Sequence, residues 1–215
     1  ISMTQFMIDQ SGIFWFGSRE SGLVKYDPVN KPFQFFTNDA ENPNSLSKGA
    51  TFGILASKVR PGITYVGTRG SGVNIYDPTK QTFEKVTFKV VDDMFGGSVR
   101  SIAEDDGSLW LGTWGDGLVE LDKNYKEIRK YKYDSTNANS ISNNQVRVIK
   151  PDNQGQLWIG TNSGLNILNT KTNTLKRVVS KQIRRYPDQL VDEMEKLISS
   201  DQKIGVIEKV TESQD

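Results

Sequence analysis

The 215-residue sequence contains no cysteine and no histidine. Without cysteine there is no disulfide framework and no thiol chemistry, a composition that suits an extracytoplasmic bacterial protein. Without histidine the commonest general base and the commonest metal ligand are both missing. Excess charge of one sign is lacking too. Lys and Arg total 27, Asp and Glu 26, for a formal net charge of +1. No global field therefore draws the chain to nucleic acid. No apolar run approaches the ~20 residues a spanning helix needs, so no membrane contact is expected within this segment. No signal-peptide pattern opens the chain, which begins with Ile1, and it reads as a segment of a longer protein.

What the sequence does have is glycine and aromatic residues. Hydrophobic residues make up only 35%, yet aromatics reach 10% and glycines number 19. That balance fits a turn-rich all-β protein, because hairpins use Gly and pleated surfaces favour aromatics. A repeat then fixes the fold class. Trp15, Tyr65, Trp110 and Trp158 anchor four copies. Gly12, Gly62, Gly107 and Gly155 stand three positions before the anchors, and Gly17, Gly67, Gly112 and Gly160 stand two after. Gly22, Gly72 and Gly117 follow at seven positions, and Asp27, Asp77 and Asp122 at twelve. In copy four Gly164 and Asn169 each come one residue early, so a single deletion in the last Gly turn accounts for the shift.

Each copy reads as four short strands. In copy three these are Val99 to Ala103, Leu109 to Thr113, Gly117 to Asp122 and about Glu127 to Tyr133, separated by Gly turns. The second strands are apolar on both faces, as in Phe14-Trp15-Phe16, Leu109-Trp110-Leu111 and Leu157-Trp158-Ile159. A sheet with two apolar faces must pack between copies of itself. The expectation is four four-stranded antiparallel blades of a β-propeller, at about residues 4–40, 50–90, 98–135 and 145–180, forming part of a larger propeller.

The motif Gly-x-Leu-Trp-Ile-Gly-Thr-x-x-Gly-Leu, carried closely by residues 107–118 and 155–165, resembles the two-component regulator propeller repeat. Asn44-Ser45-Leu46-Ser47 and Asn139-Ser140-Ile141-Ser142 carry its second part. The resemblance covers about residues 4–180. It implies a periplasmic sensor region of a bacterial hybrid two-component protein, one that responds to a ligand such as an oligosaccharide. The sequence departs from that plan in holding four repeats, no immunoglobulin-like domain and no kinase or receiver motif. A phosphoacceptor histidine is impossible here.

Candidate binding residues sit in the loops between second and third strands. These read Ser18-Arg19-Glu20-Ser21, Thr68-Arg69-Gly70-Ser71, Thr113-Trp114-Gly115-Asp116 and Thr161-Asn162-Ser163. The frame repeats while its contents vary, which is where binding commonly lives. Arg19, Glu20, Arg69, Trp114, Asp116 and Asn162 are the candidate rim residues. A Trp stacks on an apolar sugar face, and an Arg forks onto a carboxylate or sulfate. Taken singly, each tip is read first as solvated or as a contact to another module; the binding reading belongs to the set. Trp15, Trp110 and Trp158 are read as core, not as a sugar platform.

No catalytic residue, metal site or cofactor is expected. Asp105-Asp106-Gly107-Ser108-Leu109-Trp110 resembles the Asp-box of sialidase-type propellers, a turn brace; Asp9 and Asp152 stand one position further from their Gly. A sialidase needs three arginines, a Tyr nucleophile and acidic partners. The streptogramin-lyase type of propeller needs a His base. Asp92-Asp93 and Asp105-Asp106 lack the spaced loop that calcium requires. The alternative to sensing is a structural or protein-interaction propeller, with other blades or domains as partners, or a homodimer formed through exposed apolar blade faces.

After Ser180 the repeat stops. Residues 176–185 are basic, with Lys176, Arg177, Lys181, Arg184 and Arg185 and no acid, and read as a solvated last strand and linker. Pro187 opens a helix pattern over about 187–199, with Leu190, Val191, Met194, Leu197 and Ile198 on one face. Lys203 to Val210 reads as a strand that begins a further domain.

Overall fold

The chain is described here from a computed structural model that covers residues 3–178 apart from 21, 30–32, 87, 89–96 and 153. The expected helix at 187–199, the strand at Lys203–Val210 and the Asp92-Asp93 pair lie outside the described residues. The described residues form strands, turns and bends, with no helix.

Among the described residues, sixteen strands build four sheets. Blade one is β1 (Met3–Ile8), β2 (Phe14–Ser18), β3 (Leu23–Tyr26) and β4 (Gln34–Phe36). Blade two is β5 (Thr51–Ala56), β6 (Thr64–Thr68), β7 (Val73–Asp77) and β8 (Thr82–Val86). Blade three is β9 (Val99–Asp105), β10 (Ser108–Thr113), β11 (Leu118–Leu121) and β12 (Glu127–Tyr131). Blade four is β13 (Val146–Pro151), β14 (Gln156–Thr161), β15 (Gly164–Asn169) and β16 (Thr174–Val178). Every sheet is a meander in chain order, antiparallel throughout. The first strands meet in sequence, β1 with β5, β5 with β9 and β9 with β13. They are therefore the innermost strands, and the fourth strands lie outermost. These are propeller blades set side by side, as the repeat requires.

The two-faced apolar sheets are hidden from water in three inter-blade cores. Trp15, Leu23, Leu46, Ile54, Val66, Tyr76 and Phe83 join blades one and two. Tyr65, Val73, Val99, Ile102, Leu111 and Leu121 are among those joining blades two and three. Trp110, Leu118, Val146, Ile149, Leu157 and Leu168 are among those joining blades three and four. Each such side chain contributes about 1.5–3 kcal/mol on leaving water. The anchors Trp15, Tyr65, Trp110 and Trp158 are all buried, so none is a sugar platform.

The second-strand glycine sets how closely blades approach. A methyl group on Gly67 would stand 2.6 Å from the Val99 carbonyl oxygen of the next innermost strand, and one on Gly112 would stand 2.8 Å from Val146 Cγ1. The turn glycine plays a second part. Gly72 and Gly117 take φ of 71° and 76°, the left-handed region that favours glycine. The blade-four turn is one residue shorter, and Gly164 departs from this geometry with φ of 130°.

The Asn-Ser-Leu/Ile-Ser segments are blade connectors. Leu46 and Ile141 are buried in the inter-blade cores. The Ser47 and Ser142 N–H groups donate to Asn74 Oδ1 and Asn166 Oδ1, both at 2.9 Å. Those two asparagines are fully buried on the third strands, where Val24 and Val119 stand in blades one and three. In the last strand Lys176 is exposed, while Arg177 is half-buried. Its Nε donates to Ser140 O at 2.8 Å and its Nη2 reaches Ser140 Oγ at 2.5 Å, clasping the connector.

Candidate functional site at the rim of the innermost strands

Three of the four rim loops are pinned by the same backbone bond. The N–H groups of Arg69, Trp114 and Asn162 donate to Ala50 O (2.9 Å), Ser98 O (3.0 Å) and Gln145 O (3.1 Å). Each acceptor directly precedes an innermost strand. The loop between the second and third strands is thus tied to the blade-entry segment, and both lie on one rim. Hydroxyls brace the loops from below: Thr68, Thr113 and Thr161 Oγ1 donate to the carbonyls of Gly72, Gly117 and Gly164. Repeated Thr and Gly build a fixed frame, and the residue after the Thr presents its side chain on it.

Trp114 occupies the middle of this rim. Its backbone bridges to Gln145 of the blade-four entry, and its indole is half-buried. Two guanidinium groups stand over it, Arg100 at 4.4 Å and Arg147 at 4.9 Å from the ring centroid. Arg100 is also 3.9 Å from the Phe52 ring. Arg147 Nε donates to Asn162 Oδ1, and Asn162 Nδ2 donates to Gln145 Oε1. Phe52, Arg100 and Arg147 are the second residues of β5, β9 and β13.

Among the described residues, the charges that act on Arg100 are cationic. Burial pushes the Arg100 guanidinium down from its usual range, and the nearby cations Arg147, Arg19 and Arg69 push it further. Arginine nevertheless stays protonated at neutral pH. Arg100 Nε is buried without a hydrogen-bond partner.

The six sequence candidates divide. Arg19 and Arg69 are exposed and close enough to act on Arg100. Trp114 and Asn162 belong to the Arg147 cluster. Glu20 is exposed, with its N–H on Ser18 Oγ at 3.3 Å. Asp116 is set apart: it is 3% exposed, and its carboxylate pairs with Lys132 Nζ at 3.0 Å, beside the outermost strand β12. Phe52, Arg100 and Arg147 are residues that loop reasoning missed. They stand 13, 10 and 11 positions before their anchors, so the fixed spacing that exposes the glycines hides them. The signal available was their place next to the buried Thr51, Val99 and Val146 at the start of each first strand.

The Asp-box likeness also lands differently. Asp9 and Asp152 are the turn braces, accepting from Ser11 and Ile13 N–H and from Gln154 and Gln156 N–H. Asp105 instead accepts from Thr170 Oγ1 of blade four at 3.0 Å. Among the described residues no group of three or more acidic side chains is placed to hold a metal ion.

Fold and rim together define a β-propeller segment with a framed, cationic loop surface. Residues 93–115 and 140–163 match the two component regulator propeller family. The chain is similar in fold to two solved structures from B. thetaiotaomicron, described as the extracellular domains of the hybrid two component systems BT3049 and BT4673. Identity is 23% and 22%, coverage 85% and 86% of this chain, and the TM-score 0.67 for both. Among curated proteins it is 29% identical over 79 residues to "Histidine kinase P4" of Formosa agariphila, which covers 37% of this chain. The chain spans about a quarter of those solved chains, 25% and 26%, and 6% of the kinase.

Proposed function

We propose that this chain is a non-catalytic, ligand-sensing part of an extracytoplasmic two-component sensor, and that its ligand is an oligosaccharide held at the rim. The observation that carries this reading is the pinned frame: Arg69, Trp114 and Asn162 share one backbone bond while their side chains differ. A rigid scaffold with changing tips is the geometry of a recognition surface. Trp114 offers an aromatic face, and the arginines offer forked donors beside it. The family match and the names of the similar proteins support the signalling context and the extracytoplasmic location. A kinase would belong to the parent protein.

Screening the chain on a glycan array, followed by calorimetry on the best binder, tests the proposal. Trp114→Ala and Arg69→Ala are expected to weaken binding about 10-fold each, as truncated anchors do. Absence of any saccharide binding, or full binding by both variants, overturns the rim as the sensing surface.

A second reading is favoured by blade one. Phe6, Phe14 and Phe16 stack at 5.9–6.5 Å along one face, and Phe6, Phe33 and Phe35 are exposed. Such a face suits contact with another blade, domain or chain. Pull-down partners lost on Phe6→Ser, with rim variants silent, would favour an interaction platform.

A further inference from the structure

Of the four second-strand anchors, Trp15, Trp110 and Trp158 are indoles and Tyr65 alone is a phenol. We propose that the space beside Tyr65, between blades two and three, is a second binding site, and that it takes a small hydroxyaryl molecule: one aromatic ring bearing a hydroxyl group. The site lies at the end of the strands opposite the loop rim and stands independently of the saccharide reading.

A cavity of about 210 Å³ opens there. Val59, Arg60 and Tyr65 line it from blade two, and Glu104, Leu109 and Tyr125 are among those lining it from blade three. An apolar cavity of about 150 Å³ holds one benzene ring, so this one has room for a ring and a substituent. Two clasps hold its walls together. Glu104 accepts from Ser57 Oγ and from the Lys58 N–H, both at 2.7 Å. Arg60 donates through Nη1 to Tyr125 Oη and through Nη2 to Lys123 O, the latter at 2.7 Å. Its guanidinium also stands 4.9 Å over the Tyr125 ring. Both clasps run from blade two to blade three, so the cavity is a product of blade packing.

The walls suit an aromatic ring. Tyr65 and Tyr125 meet edge to face at 6.1 Å, and a third ring beside them extends that arrangement. Tyr125 is held there at φ of 62°, an outlier for so bulky a side chain. The corresponding turns of blades two and four use Gln81 and Asn173 for their positive φ. Strained residues of this kind gather at ligand sites. One end of the cavity is polar. The Tyr65 and Tyr125 hydroxyls stand 3.4 Å apart. Burial above all raises the Tyr65 phenol from its ordinary range, so its proton stays in place. Each Glu104 oxygen keeps a further lone pair after its bond to blade two. A ligand hydroxyl at that end finds an acceptor in Glu104 and a donor in Tyr65, while its ring meets Val59, Leu109 and Tyr125. A sugar, polar all round, would lose hydroxyl hydration against those apolar walls.

Titrating the isotope-labelled full chain with phenol, toluene and galactose, and following its backbone amide resonances, tests this. Phenol is expected to shift the amides of Arg60, Leu109 and Tyr125 saturably, with a Kd below about 1 mM, a modest affinity for so small a ligand. Toluene lacks the hydroxyl and should bind about 10-fold more weakly. Galactose should leave these resonances in place. Tyr65→Trp copies the other three anchors and fills the space, so it should weaken phenol about 10-fold or more. Should that variant fail to fold, Tyr125→Gly decides the matter, because it removes one wall and suits the positive φ of the turn; it too should weaken phenol about 10-fold. No saturable shift at these amides overturns the site, and so does undiminished phenol binding by a folded variant. Equal affinity for phenol and toluene overturns the hydroxyl-reading end. Galactose shifting the same amides in place of phenol overturns the aryl class. Failure of saccharide sensing at the rim would be read at Trp114 and leaves each of these outcomes unaltered.

Discussion

The guanidinium carbon of Arg100 stands 4.4 Å above the indole of Trp114, and Arg147 joins it at 4.9 Å. One ring therefore holds two cations taken from the innermost strands of blades three and four. Trp114→Ala removes both contacts and should destabilise the fold by about 1–2 kcal/mol, the range of partly desolvated cation–π pairs. Trp114→Phe should restore part of it. Chemical denaturation of the three proteins measures the differences.

Gly67 faces the backbone of the next blade. The Val99 carbonyl, 2.6 Å from an added methyl group, cannot move without shifting β9. Gly67→Ala is expected to lose about 1–3 kcal/mol, as overpacking does. A shift in denaturation midpoint with unchanged slope is the signature. No change would mean that the blades do not approach so closely.

Asn74 is fully buried and accepts the Ser47 N–H. Asn74→Ala leaves that N–H without its partner and should cost about 1–3 kcal/mol. Asn74→Val, which copies blades one and three, should not rescue it. Amide exchange at Ser47 should accelerate in both variants, and unchanged protection would contradict the bond.

Asp77 caps the turn after the third strand of blade two. A hydrogen bond from the Thr79 hydroxyl is the main influence, and it holds the carboxyl at about 2, below the ordinary 3.8. A carboxylate depressed in the folded state stabilises it above the unfolded value. That stability is lost as pH falls through the folded value. Acid titration of stability between pH 3.8 and about 2 should therefore be shallower in Asp77→Ala than in the unaltered chain. Identical curves would remove the assignment.

The blades were legible because their causes are local and repeated. Gly67 and Gly112 recur where the next blade presses closest, Gly72 and Gly117 recur where φ is positive, and Trp110 and Trp158 recur between two apolar sheets. Even the missing residue before Gly164 shows as a changed turn. Half of the rim was legible in the same way, since Arg69, Trp114 and Asn162 follow a repeated Thr. Arg100 and Arg147 were not, because they meet Trp114 only after blades three and four pack. Asp116 shared the loop frame, but its carboxylate is held by Lys132, a partner that no spacing within the loop announces. Arg177 stands in a basic stretch, and the connector carbonyls it clasps lie nearly forty residues away in sequence.

Blade packing is what carries the rim into existence, and one nuclear Overhauser spectrum of the isotope-labelled chain reads it directly. Cross-peaks are expected between Gly67 Hα and the Val99 methyls, between Gly112 Hα and the Val146 methyls, and between the Trp114 ring and the side chain of Arg147. Strand-pair peaks within each sheet, with all three of these absent, would show sheets that fold but do not pack, and would contradict both the propeller and its rim.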